Sequence, residues 1–163
     1  MLRSILLISA FLAALVMGLA LAHALEMPGK MRLDRERYYV VQTIYYPGFT
    51  IAGMAEPLAI LTTAAAVLIG RGEPPFWLIA GALIALVLTQ VLFWLVVQPV
   101  NRQWLASAQL SDVADRFFRI RQVGGSDEEW TRLRDRWEWG HLARALTAAT
   151  GFVLLLLAMA SGR

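Results

Sequence analysis

Four apolar stretches, at about residues 4–25, 46–70, 75–98 and 140–160, constrain this chain more than anything else in it. Each has the ~20 residues that an α-helix needs to cross a hydrocarbon layer about 30 Å thick. In lipid every backbone N–H and C=O must be satisfied inside the segment, so these stretches are helices; no apolar/polar alternation points to a barrel instead. The fold class that follows is all-α, a four-transmembrane-helix bundle forming a single membrane domain over residues 1–163. A composition of 58% hydrophobic and 17% charged residues agrees with it. Cysteine is absent, which excludes disulfides, thiolate nucleophiles and thiolate-held metals. The formal charge of +3 flanks the apolar stretches and forms no aromatic-basic stripe. Its partner is therefore the lipid bilayer and not nucleic acid.

The first stretch can be read two ways. Ala22-His23-Ala24 has the small-x-small form of a signal-peptidase site, and Arg3 fits a signal's basic start. The apolar run from Ile5 to Leu21 is longer than a usual signal core, and the basic residues argue for retention. Eleven of them fall between the first and second stretches or between the third and fourth, against three on the other side. With the helix kept, the positive-inside rule puts both large loops in the cytoplasm and both termini outside. His23 then lies near the cytoplasmic face of a multi-pass membrane protein.

Ala10, Ala14, Gly18 and Ala22 form a small-residue row on the first helix, expected as a packing face within the bundle or against another copy in a homo-oligomer. Pro28-Gly29 is expected to end that helix. Residues 31–45 read as an amphipathic helix at the interface, with Leu33, Tyr38, Val41 and Ile44/Tyr45 on one face. Arg71-Gly72-Glu73-Pro74-Pro75 is a tight turn, so the second and third spans should be neighbours. Residues 99–139 read as a cytoplasmic helical hairpin. Leu110, Val113, Phe117 and Ile120 keep helical spacing, Gly124-Gly125 breaks it, and Ser126 with Glu129 forms a capping box.

Polar residues inside membrane helices are costly, so each counts as a candidate. Glu56 falls near the middle of the second span, followed by Pro57, which is expected to free the carbonyl of Gly53. That combination reads as a cavity or as a protonated carboxyl bonded to a neighbouring helix. Gln90, Trp94, Gln98 and Asn101 share a stripe of the third span, for a site or for interhelical bonding. Trp137, His141 and Arg144 share a face of the fourth. Arg144 either snorkels to the surface or pairs with Glu56. Topology brings His23, Glu26, Tyr45, Gln98, Asn101, Trp104, Glu138 and His141 to one membrane face, above Glu56, Gln90 and Arg144. A polar pocket opening toward the cytoplasm is the expected result.

Pro99-Val100-Asn101 after the third span, with Trp137-x3-His141-x2-Arg144 opening the fourth, resembles the anthrone oxygenase-like family of small four-helix membrane proteins. The segment from Gly18 to Pro28 fits more loosely. Much of that family is known only as a domain of unknown function. Some members oxidise polyketide anthrones to anthraquinones with molecular oxygen and no evident cofactor. The resemblance implies catalytic roles for His141, Arg144 and Asn101: His141 removes an acidic C–H or phenolic proton, and Arg144 and Asn101 stabilise the oxyanion. It implies that Trp137 stacks on a flat lipophilic aromatic substrate. Gln98, Glu56 and Trp94 are further substrate-binding candidates by position. His23 is outside the family's pattern.

Three function classes remain: a cofactor-free oxygenase-like enzyme, a bis-histidine haem protein ligated by His23 and His141, and a non-catalytic scaffold or transport subunit. No metal site is expected, since two histidines with Glu26 or Glu138 have no diagnostic ligand spacing.

Overall fold

The structure, a computed structural model, describes residues 1–104 and 126–161. Its elements are α1 (Leu2–Lys30), α2 (Arg35–Thr43), α3 (Gly48–Ala52), α4 (Ala55–Ile69), α5 (Phe76–Leu92), a π-helical turn (Phe93–Val97), α6 (Gln98–Trp104) and α7 (Asp127–Ser161). Among the described residues four helical stretches are long and apolar enough to cross a membrane: α1, α3 with α4, α5 through α6, and α7. The fold is the expected all-α bundle. α1 packs on α4 and α7, and α5 packs on the same two, so the four form a square. The second and third spans are neighbours, as their short connection requires. Gly72 turns that connection at a φ of 85°, a left-handed conformation that glycine adopts without a Cβ penalty. Large apolar side chains such as Phe11, Leu61, Ile84 and Leu146 point outward from all four spans, as lipid-facing helices require.

Local chemistry sets the ends and interruptions. Asp34 caps α2 by accepting from the Arg37 N–H at 2.9 Å; Ser126 Oγ accepts from the Glu129 N–H at 3.3 Å at the start of α7. That is half of the expected capping box. The glycine turn at 124–125 and the stripe from Leu110 to Ile120 lie outside the described residues. α7 runs unbroken from Asp127, so the return from the connection and the fourth span are one helix.

Three expectations are corrected. Pro28-Gly29 does not end α1, which continues to Lys30; a proline there removes one hydrogen bond near the last turn, and Lys30 is anchored by an ion pair described below. The small-residue row is not a packing face within the bundle. Gly18 is exposed, and the buried stripe is Leu6, Ala10, Ala13, Val16, Ala20 and His23. A strict four-residue step advances ~400° and drifts around the helix, whereas alternating three and four stays on one side. Nor is the Gly53 carbonyl left free: the Glu56 N–H bonds it at 3.0 Å, and the backbone turns at Gly53-Met54 between α3 and α4.

Pro99 acts differently. It cannot donate to the carbonyl of Leu95, and that carbonyl accepts instead from Arg136 Nη2 at 2.8 Å. Just before it the helix widens into the π-turn, where the Gln98 N–H reaches back to the Phe93 carbonyl. The backbone of the third span is therefore irregular where it faces protein.

The interior has two parts. Around Ala13, Ala59, Ala66, Ala82, Ala148 and Ala158 the core is mostly alanine, and Thr89 and Thr147 bond across the interface at 2.8 Å. At the other end the core is aromatic: Tyr38, Trp104, Trp130 and Trp137. Between these two regions the helices leave a space.

Candidate functional site

A cavity of ≈ 310 Å³ lies at the aromatic end. α1 contributes Val16, Ala20 and His23, and the 42–57 segment contributes Tyr45, Phe49, Glu56 and Pro57. The third span contributes Gln90, Phe93, Trp94 and Asn101, and α7 contributes Trp137, His141 and Arg144. Helical phase explains the convergence. His23 sits three residues past Ala20 on the buried stripe of α1, while Trp137, His141 and Arg144 are successive turns of one face of α7. α7 approaches the π-turn closely at Gly140, where a Cβ would come within 2.9 Å of Val96.

The floor is a polar chain across three spans. Arg144 Nη2 donates to Glu56 Oε2 at 2.6 Å. With its amide oriented to satisfy both neighbours, Gln90 donates to the other Glu56 oxygen at 2.9 Å and accepts from Trp94 Nε1 at 2.9 Å. Of the two roles open to Arg144, the pair with Glu56 is the one formed. Its guanidinium also lies 5.1 Å from the Phe93 ring centre, and its Nε is a buried donor with no partner among the described residues.

The wall is an imidazole pair in an aromatic frame. The rings of His23 and His141 lie 4.1 Å apart between centres, tilted by 46°. Both residues are buried, and neither Nδ1 has a hydrogen-bond partner among the described residues. Trp137 is 4.1 Å from His141, and Tyr45 and Phe49 stand 4.5 and 4.7 Å from His23. Trp137 Nε1 donates to Asn101 Oδ1 at 2.7 Å, which fixes the indole. Two rings this close leave no room for an iron between them; axial ligation of haem by both would require them to separate.

Behind the wall is a cluster in which Lys30 and Tyr38, which sequence reasoning missed, join the expected Glu26, Tyr45 and Glu138. Lys30, only 4% exposed, lies 3.1 Å from Glu138 Oε1, and the Tyr38 hydroxyl donates to that oxygen at 2.6 Å. The ammonium sits 4.5 Å from the Trp137 ring centre, a cation–π contact. Tyr45, which lines the cavity, donates to Glu26. Burial, then the Glu138 carboxylate beside it, pushes the Tyr38 phenol above its ordinary range. Burial, then its hydrogen bond to Glu26, does the same for Tyr45. Expecting α1 to stop at Pro28-Gly29 hid Lys30; the Glu26/Lys30 spacing of four was the available signal.

Of the residues expected at a site, His141, Arg144, Asn101, Trp137, Glu56, Trp94 and His23 all line the one cavity. Gln98 does not. It is buried behind the wall, and its carbonyl oxygen accepts from Asn101 Nδ2 at 3.4 Å. Trp137 is enclosed by Lys30, His23 and His141, so it serves as wall more than as an open stacking surface. Among the described residues no group of three or more His, Asp and Glu side chains converges as metal ligands.

This geometry defines a class: a membrane-type helical bundle with a small aromatic-lined cavity holding two imidazoles and a braced guanidinium. Residues 42–154, more than half of the chain, match the anthrone oxygenase family. The chain belongs to that family. No curated protein and no solved structure matches it.

Proposed function

We propose that this chain is an oxygenase that acts without a bound cofactor on a flat, lipophilic, phenolic aromatic of the anthrone type. The observation that carries the reading is His141, whose buried Nδ1 has no partner among the described residues, in a cavity large enough for a small ligand in a member of this family. The CH₂ of an anthrone is acidic because its anion delocalises onto the ring carbonyl. His141 takes that proton. The oxyanion that develops meets the Arg144 guanidinium, held in place by Glu56, and the Asn101 amide. Molecular oxygen is the co-reactant. The carbon loses two hydrogens and gains one oxygen atom, giving up four electrons; the other oxygen atom leaves as water, so O₂ takes up four.

The basic residues support an orientation with both large loops in the cytoplasm and both termini outside. The cavity then faces the cytoplasmic half of the bilayer.

The test is oxygen uptake and quinone absorbance with anthrone and the protein purified in mild detergent, corrected for autoxidation. The wild-type protein is expected to accelerate both, and His141→Ala to lose about 100-fold or more of that rate. Uptake by the wild-type protein at the autoxidation rate, or full activity in the variant, would overturn the reading.

A further inference from the structure

We propose that His23 is a second proton-transfer residue of the same reaction, acting on the carbon after oxygen has added. The inference rests on the function proposed above. It starts from a mismatch: the family match covers residues 42–154, and His23 lies before it. Yet the structure seats His23 in the cavity against His141, with ring centres 4.1 Å apart.

Three features set His23 apart from a histidine that merely fills space. It belongs to the buried stripe of α1, so helix phase aims it inward. Its orientation is fixed by Tyr45, Phe49 and Trp137, whose ring centres lie 4.5, 4.7 and 5.1 Å away. Its buried Nδ1 is bonded to none of the described residues, although a buried imidazole nitrogen ordinarily finds a partner. A bound substrate can supply one.

The chemistry removes two C–H protons in two separate steps. In the first stage His141 removes one C–H proton, a C–O bond forms to O₂, and the proton returns to the outer oxygen. The product is a hydroperoxide, with O₂ reduced by two electrons. In the second stage His23 takes the remaining C–H proton. That electron pair becomes the new C=O bond, the O–O bond breaks, and hydroxide leaves. Hydroxide then takes the proton from His23 and departs as water. One base at one position would have to serve two transition states; two imidazoles on different helices divide them.

The experiment follows three quantities at once in detergent-purified protein given anthrone: oxygen uptake, quinone absorbance and hydroperoxide by ferrous-ion oxidation. The variants are His23→Phe, which keeps a ring in the aromatic frame, and His23→Gln, with circular dichroism confirming helix content. In the wild-type protein, oxygen consumed and quinone formed should match mole for mole. In both variants quinone formation should fall about 100-fold, oxygen uptake far less, and hydroperoxide should accumulate. Quinone formed at the wild-type rate, or oxygen uptake and quinone lost in equal proportion with no hydroperoxide, would overturn the assignment. A wild-type protein that consumes no oxygen beyond autoxidation would overturn the proposed function and this assignment together. A wild-type protein that does turn over makes the His23 result stand on its own.

Discussion

The two ends of the bundle are built by the same long helices and differ in almost every physical respect. At the Gly72 end, alanines at zero or near-zero exposure let the helices approach closely, and the backbone is regular. At the aromatic end the side chains are large, charges are paired in the interior, and the backbone breaks its pattern at Gly53-Met54 and at the π-turn. Small residues close a bundle; large and charged ones hold it open. Irregular backbone at membrane depth is tolerated where protein or a cavity covers it. Here the freed Leu95 carbonyl is covered by Arg136, and the turn at Gly53 borders the cavity.

The contrast is tested most severely at the Arg144–Glu56 pair, whose side chains are 12% and 5% exposed. Glu56→Ala leaves the guanidinium uncompensated, and the expected loss is about 3–5 kcal/mol in unfolding from detergent. A loss under about 1 kcal/mol would mean that the pair behaves as though solvated. Packing gives the next largest effect and separates the two ends. Ala82→Leu, in the alanine core, should cost about 1–3 kcal/mol by overpacking and leave oxygen uptake near normal. Gly140→Val should cost a similar amount and also abolish uptake, because the 2.9 Å approach to Val96 lies between Trp137 and His141. Equal effects on uptake from both would erase the distinction.

At that level or below it is Asn101→Leu. It removes the acceptor of the Trp137 indole and should cost about 1–3 kcal/mol, at the low end where water can replace the amide. Tryptophan fluorescence would report the freed ring. The smallest effect concerns alkaline pH. The phenols of Tyr38 and Tyr45 are raised above their ordinary range. Their contribution to stability is complete below the unfolded value near ~10 and is lost as pH rises above it. The thermal midpoint should fall in that range, and Tyr38→Phe should flatten the fall. An unchanged slope in the variant would contradict a protonated Tyr38 bonded to Glu138.

Much of this was legible before any coordinates. Stretch length and the Arg71–Pro75 turn yield the bundle and its neighbours, because lipid leaves backbone few options. The polar residues of the spans, Glu56, Gln90, Trp94 and Arg144, are conspicuous against alanine and leucine, and they do converge. What stayed hidden depends on phase and on breaks in phase. The row Ala10, Ala14, Gly18, Ala22 looked like a face because spacing was read without the drift it implies. The π-turn shifts the register between Trp94 and Asn101, so Gln98 ends behind the wall although it shared their stripe. Lys30, beyond a proline and a glycine, looked like a loop residue, and only packing shows it inside.

The central claim is that this cavity inserts oxygen from O₂ into its substrate. Its most direct test is the isotopic composition of the quinone formed from anthrone under ¹⁸O₂, with His141→Ala as the background. The expected result is one heavy oxygen in the new carbonyl, formed by the wild-type protein well above that background. Quinone whose new carbonyl carries oxygen from water, or labelled quinone no faster than with His141→Ala, would contradict it.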